Sequence, residues 1–540
     1  MGRKLKTTQN IFILFYSSSP LNTYIYIYIL IYLYEYTYCS TPEIARHPTM
    51  KPQCILISLL VNLAYAEEYL VRFKNPTAFQ QFTSNSNRSW RQFIDNKIEK
   101  KFSIGSFRGV TMNLSKNLVN KLKKSPLVAD IVPNFRFEAF ENDGTNDAEL
   151  NYTFNATAKY LYEDIDEAQN ITYQSDAPRH LARISRHYQL PFDIEDKNRY
   201  KSWFNYYYED DYLGQDVNAY IMDTGIFSDH PEFEDRVIQG IDLTKEGFGD
   251  QNGHGTHVAG LVGSKTYGAA KKVNLVEVKV LGKDGSGEAS NVLSGLEFIV
   301  EHCTRVSRPQ GKKCVANLSL GSFRSPIINM AVEGAIEEGI VFVAAAGNFN
   351  LDAYWASPAS AENVITVGAF DDHIDTIAKF SNWGPCVNIF APGVEIESLS
   401  HLNYEDTLIL SGTSMSTPIV TGVAAVLLSK GIEPALIAQE IEYLSTRNVF
   451  HRRTLFFKPS TANQILYNGV DKLDDPYNDE TFPRLNIEAI AKELEEYNAT
   501  LQNPMADGLH SGSKLWGWNN DVTLPLGEIR LKRRDFIKDL

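Results

Sequence analysis

Between about residues 178 and 470 the chain alternates short apolar runs with helical ones, and few folds accept that pattern. "DVNAYIMD", "NLVEVKVL", "VANLSLG", "IVFVAAAG" and "VITVGAF" are too short for helices and too evenly apolar for half-exposed strands. Stretches such as "NVLSGLEFIVEHC" and "PIINMAVEGAIEEG" lie between them with a helical period. Strands buried on both faces, alternating with helices, read as an α/β domain: a mostly parallel sheet with helices on both faces. Such sheets gather their chemistry at the carboxyl ends of strands, where loops and helix N-termini converge.

The flanks read differently. Residues 67–140 follow a βαββαβ order, a small α+β, ferredoxin-like unit. Residues 141–177 lose all apolar periodicity and are acidic, which suggests a linker open to proteolysis, and a maturation cut is expected in about 142–177. Residues 471–540 form a polar tail. At the other end, "YIYIYILIYLYEYTY" (24–38) is what a TATATA repeat in DNA encodes. Residues 1–49 are therefore expected to be an upstream extension, with the working start at Met50. Residues 50–66 have the three parts of a secretory signal peptide: Lys51, the apolar run Cys54 to Leu63, and Ala64-Tyr65-Ala66 before the cut. That run is too short to span a bilayer, so no stable membrane anchor is expected.

The secretory route makes the N-x-[ST] sequons meaningful. Asn87, Asn113, Asn151, Asn155, Asn170 and Asn498 are expected to carry glycans, whereas Asn317 in "VANLSLG" should lie in a buried strand and stay bare. The formal net charge of −14 argues against a nucleic-acid partner. Five cysteines with no CxxC spacing give no reason to expect a metal site. Without Cys39 and Cys54, three remain: Cys303, Cys314 and Cys386. One disulfide is open to them, with Cys303–Cys314 as one choice.

Four polar residues fall at strand or helix ends. "DVNAYIMDTG" ends a strand on Asp223; an aspartic protease would need a second D[TS]G, and there is none. "NGHGTHVAG" opens a helix at His254, with His257 one turn further in as a supporting residue; H-x-x-H alone is not the HExxH zinc pattern. "AAAGN" ends a strand on Asn348, a turn residue or an amide donor for an oxyanion. "SGTSMSTP" starts an apolar helix at Ser414, either as one of several capping hydroxyls or as a nucleophile at a helix N-terminus. Asp, His and Ser at such junctions are what acyl transfer requires.

The motifs "MDTG", "NGHGTHVAG", "SLGS", "AAAGN" and "SGTSMSTP", in this order, resemble the subtilisin-like serine proteases of the proteinase K branch, and within it the fungal vacuolar proteinase B (cerevisin) type. Shorter stretches, "VKVLGKDGSGEAS", "SPASAENVITVGA" and "FSNWGPCVNIFAPG", match as well. The resemblance covers roughly 178–470 and more weakly 67–140, which is similar to the family's inhibitory propeptide. It implies a triad of Asp223, His254 and Ser414 and an oxyanion hole made by Asn348 with the Ser414 N–H. It also implies edge segments Ser319-Leu320-Gly321 and Gly285-Ser286-Gly287 that pair with an extended polypeptide substrate. A zymogen destined for the vacuole, cell wall or medium, with its own propeptide as intramolecular inhibitor, follows by the same resemblance. No cofactor is required on this reading. Asn388 stands where proteinase K-like enzymes place a calcium-binding aspartate, which makes a structural calcium doubtful. Ser416, Ile419 and Thr421 depart from the family's usual Ala, His and Ala, and Val258 replaces a cysteine often found there. The rival reading is a pseudoprotease that keeps the fold for binding.

Overall fold

The computed structural model describes residues 67–84, 96–140, 171–190 and 204–470. The upstream extension, the signal peptide, the linker up to residue 170, the tail and five of the sequons (Asn87, Asn151, Asn155, Asn170 and Asn498) lie outside those residues.

Seven strands run parallel in the larger domain: β1 (Val217–Asp223), β2 (Val237–Asp242), β3 (Asn274–Lys279), β4 (Lys313–Leu318), β5 (Val341–Ala345), β6 (Ile365–Asp371) and β7 (Ile389–Pro392). Their order across the sheet is β7-β6-β5-β4-β1-β3-β2, with short strands added at the β7 edge. The chain starts in the middle with β1, builds one side with β2 and β3, then returns to build the other. The crevice where that direction reverses, between β1 and β4, is where such sheets bind ligands.

Alternate residues of each strand feed two cores. Val217, Ala219 and Ile221 point to the face covered by α1 (His254–Gly263) and α4 (Thr413–Ser429). Tyr220 and Met222 point to the face covered by α2 (Ala289–His302) and α3 (Pro326–Glu337). This is the two-sided burial that the uniformly apolar runs demand. Cys303 and Cys314 form a disulfide that closes the loop between α2 and β4. No described helix is long and apolar enough to cross a membrane.

The small unit has a four-stranded sheet ordered Ile98–Ile104, Phe107–Leu114, Glu67–Phe73, Val128–Pro133. Its turn at Gly105 sits on the helices of the larger domain. Ser103 N donates to Glu297 Oε1 of α2 (2.8 Å) and Ser106 N to Glu337 Oε2 of α3 (3.0 Å).

Two boundaries differ from expectation. The last strand of the small unit breaks after Pro133, and Arg136–Ala139 leaves the sheet for the larger domain. Ile171–Gln174 already belongs to the larger domain, ahead of the expected boundary at 178. It pairs antiparallel with Tyr206–Glu209, and the Gln174 side chain accepts from buried Lys271 (2.7 Å).

Candidate active site

Asp223 is the last residue of β1 and His254 the first of α1, and both side chains are fully buried. His254 Nδ1 lies 2.7 Å from Asp223 Oδ1, while Thr224 N donates to the same oxygen at 2.8 Å. The loop before α1 is held by a residue that the sequence reading passed over. Asp250 accepts from Asn252 N and Gly253 N in the loop and from Thr256 N and Thr256 Oγ1 in the first turn, so it fastens the loop to the helix start. It also accepts from Thr224 Oγ1 (2.9 Å), which in turn accepts from Gly255 N. One carboxylate thus ties the Asp223 turn to the His254 helix. An acid four residues ahead of a helical histidine was the available signal. Gly253 has φ +109°, and a Cβ there would come within 2.5 Å of His401 Nδ1, so only glycine delivers the chain to His254 in this way. His257 is a structural partner, its Nε2 lying 3.0 Å and 3.1 Å from the carbonyls of Ile396 and Leu408.

Ser414 is the second residue of α4. Pro418 lies inside this helix and has no N–H to offer the Ser414 carbonyl. Ser319 Oγ supplies the missing donor at 2.9 Å. Behind it, Asn317 Nδ2 donates to Ser319 Oγ and Thr421 Oγ1 donates to Asn317 Oδ1, each at 2.9 Å. Asn317 is fully buried within this chain of bonds. The Ser414 hydroxyl itself donates to the Ser319 carbonyl at 3.0 Å. Ser416 is likewise engaged, donating to the carbonyls of Ala391 and Pro392.

Asn348 follows β5. Its Oδ1 accepts from Thr413 N (2.9 Å) and Thr413 Oγ1 (2.8 Å), which leaves the amide Nδ2 as the group facing the cleft. That Nδ2 donates to the Phe140 carbonyl at 2.8 Å. The strand Arg136–Ala139 lies antiparallel between two edges of the larger domain, Ser286–Glu288 on one side and Leu320–Phe323 on the other. Ala139 N also donates to the Gly285 carbonyl. Of the residues named from sequence as edge segments, Leu320, Gly321, Gly285, Ser286 and Gly287 lie beside this strand, whereas Ser319 bonds Asn317 and Ser414. Phe137 is fully buried in a core that includes Leu281 and Leu320. Phe140 packs against Gly321, where a Cβ would sit 2.2 Å from its ring, and meets Phe349 edge-on at 5.9 Å.

Asn388 holds Thr366 at both ends, its Oδ1 accepting from Thr366 N (2.8 Å) and its own N donating to Thr366 O. Asn113 is half-buried and donates to Glu99.

Residues 214–472 match the profile of the subtilase family (Peptidase S8). The chain is 94% identical over 491 residues, 91% of its length, to all of the "Subtilase-type proteinase RRT12" of Saccharomyces cerevisiae. It is 34% identical over 416 residues to "Subtilisin-like protease 3" of the same yeast, 74% of this chain and 78% of the relative. With "Cerevisin", also from that yeast, it shares 40% identity over 327 residues, 57% of this chain and 49% of the relative.

Proposed function

This chain belongs to the subtilase family of serine peptidases, and we propose that it is an endopeptidase using Asp223, His254 and Ser414, made as a zymogen that cuts itself. The observation that carries this reading is the Phe140 carbonyl on the Asn348 amide, at the end of a strand laid between two edges of the cleft. A segment added as a strand with one carbonyl on a polarising donor has the pose of a peptide bond about to be attacked. The bond after that carbonyl is Phe140–Glu141.

In this mechanism the Ser414 hydroxyl turns its proton from the Ser319 carbonyl to the His254 imidazole and its oxygen attacks the Phe140 carbonyl carbon. Asp223, on Nδ1, fixes the imidazole's tautomer and favours the imidazolium that forms. Asn348 Nδ2 and the Ser414 N–H receive the oxyanion. The imidazolium then gives its proton to the amine of Glu141, which leaves, and water releases the acyl group by the same steps in reverse. The unit 67–140 keeps the cleft filled after the cut, through Phe137, Phe140 and the contacts of Glu297 and Glu337. Other substrates are extended polypeptides with a large apolar residue before the cut and another three residues earlier.

A secretory route is supported by the Cys303–Cys314 disulfide, a bond that persists in oxidising compartments. A start at Met50 and a signal peptide to Ala66 belong to the same reading. Destinations that follow are the vacuole lumen, the cell wall or the medium, with glycans at the sequons other than Asn317. No calcium is assigned to Asn388, whose one side-chain oxygen is already taken by Thr366 and carries no charge for a hard cation. Labelling with a serine-directed fluorophosphonate tests the reading. Labelling of the wild type but not of Ser414→Ala is expected, and an unlabelled, folded wild type would favour the pseudoprotease.

A further inference from the structure

From Thr446 to Val470 the chain carries Arg447, Arg452, Arg453 and Lys458 and not one Asp or Glu, within a protein of net charge −14. The same stretch holds the two most exposed phenylalanines among the described residues, Phe456 (80% exposed) and Phe457 (68%). Their rings meet edge-on at 5.3 Å, at the end of the short helix Arg452–Phe456, none of whose residues is buried.

This projection is fastened at its base. Phe450 is buried edge-on against Phe390, and Leu455 packs on the same core. Asn463 bonds both backbone groups of Phe450, and Thr461 Oγ1 accepts from Gly384 N. Lys458 bonds Asn350 Oδ1 and lies over the Trp383 ring. Two adjacent phenyl groups held out in water by a fixed support are not filling the protein's own core. Exposed apolar surface of this kind marks an interaction site.

We propose that residues 452–458 dock the enzyme reversibly on an anionic lipid bilayer. Phe456 and Phe457 enter the boundary between headgroups and acyl chains, and Arg452 and Arg453 meet lipid phosphates. The chemistry favours a bilayer over a polypeptide partner. A peptide asks for a groove or a free sheet edge, whereas a bilayer accepts a protruding apolar tip with a basic collar. Cations add to the attraction of an anionic leaflet, and Lys458 and Arg447 raise the local positive potential without needing to touch a headgroup. Two aromatic side chains and a few charges give weak binding, short of an anchor.

The test is co-sedimentation of the full-length protein with vesicles of phosphatidylcholine alone or with phosphatidylserine added, at low and physiological salt. Binding to the serine-lipid vesicles is expected, and it should weaken with salt. Both Phe456→Ser/Phe457→Ser and Arg452→Glu/Arg453→Glu should lose about tenfold or more of that binding. Cleavage of a short soluble peptide should stay unchanged in both variants, which also reports that they fold. Absence of vesicle binding by the wild type would overturn the proposal, as would equal binding by wild type and either variant. Binding to polyglutamate that only the arginine variant loses, without vesicle binding, would assign the patch to an acidic polypeptide instead.

Discussion

Thr421 sits seven residues beyond Ser414 on a buried helix, where its hydroxyl looks like a misplaced polar group. Its bond to Asn317 Oδ1 gives it a purpose: it fixes the amide that holds Ser319, and Ser319 holds the Ser414 carbonyl that Pro418 leaves without a helical partner. Thr421→Val keeps the shape and leaves Asn317 Oδ1 buried without that donor, a loss of about 1–3 kcal/mol in thermal or denaturant unfolding. We expect a lower kcat with KM nearly unchanged, and recovery in Thr421→Ser. On the proposed role of Asn348 as an oxyanion donor, Asn348→Ala should lower kcat about 10²- to 10³-fold with KM little affected, in steady-state assays on a peptide substrate. Asp223, His254, Ser414 and Asn348 could be singled out in the sequence because each lies at or close to a strand end or helix start, in a motif with fixed neighbours. Asp250 was passed over although its place ahead of the helix was a signal, and the one contact that only folding supplies is that with Thr224 Oγ1.

At the scale of elements, the parallel strands could be read because burial on both faces leaves an unbroken apolar run. The strand Arg136–Ala139 could not be separated from Val128–Pro133, as both look equally strand-like. What divides them is where their hydrogen bonds go: one into the small sheet, the other between Ser286–Glu288 and Leu320–Phe323. Ile171–Gln174 was hidden in a polar context for the same reason, because its partner Tyr206–Glu209 lies more than thirty residues away. These pairings bear on processing. Phe140→Asp would place a carboxylate against Gly321 and Phe349 in an apolar site, so precursor cleavage should slow about tenfold or more in a pulse-chase experiment. Unchanged timing would mean that the Phe140 pose does not serve the cut.

Across the whole molecule, the histidines that burial depresses most, His180 and His257, contribute to the response to acid. Burial depresses His180 to about 4 and His257 to about 3, against an ordinary value of 6.5. Both are neutral in the fold and become charged on unfolding once the pH is below about 6.5. Their contribution is whole above that value and is lost as the pH falls towards about 4 and then 3. Each adds up to about 1.4 kcal/mol per pH unit to the slope. Melting temperature should therefore drop steeply between pH 6.5 and 4.5, and His257→Asn should flatten that slope even if it lowers stability throughout. An unchanged slope in the variant would remove His257 from this role.

The central claim, that Ser414 matures its own chain, is tested most directly by expressing residues 50–540 and the Ser414→Ala variant in a secretory host and sequencing the N-terminus of each product. The strand Ile171–Gln174 belongs to the larger domain, so the wild-type peptidase fragment should begin at Glu141 or later, and no later than Ile171. The variant should keep residues 67–140 attached. Identical cutting of the two proteins, or no cutting of either, would contradict it.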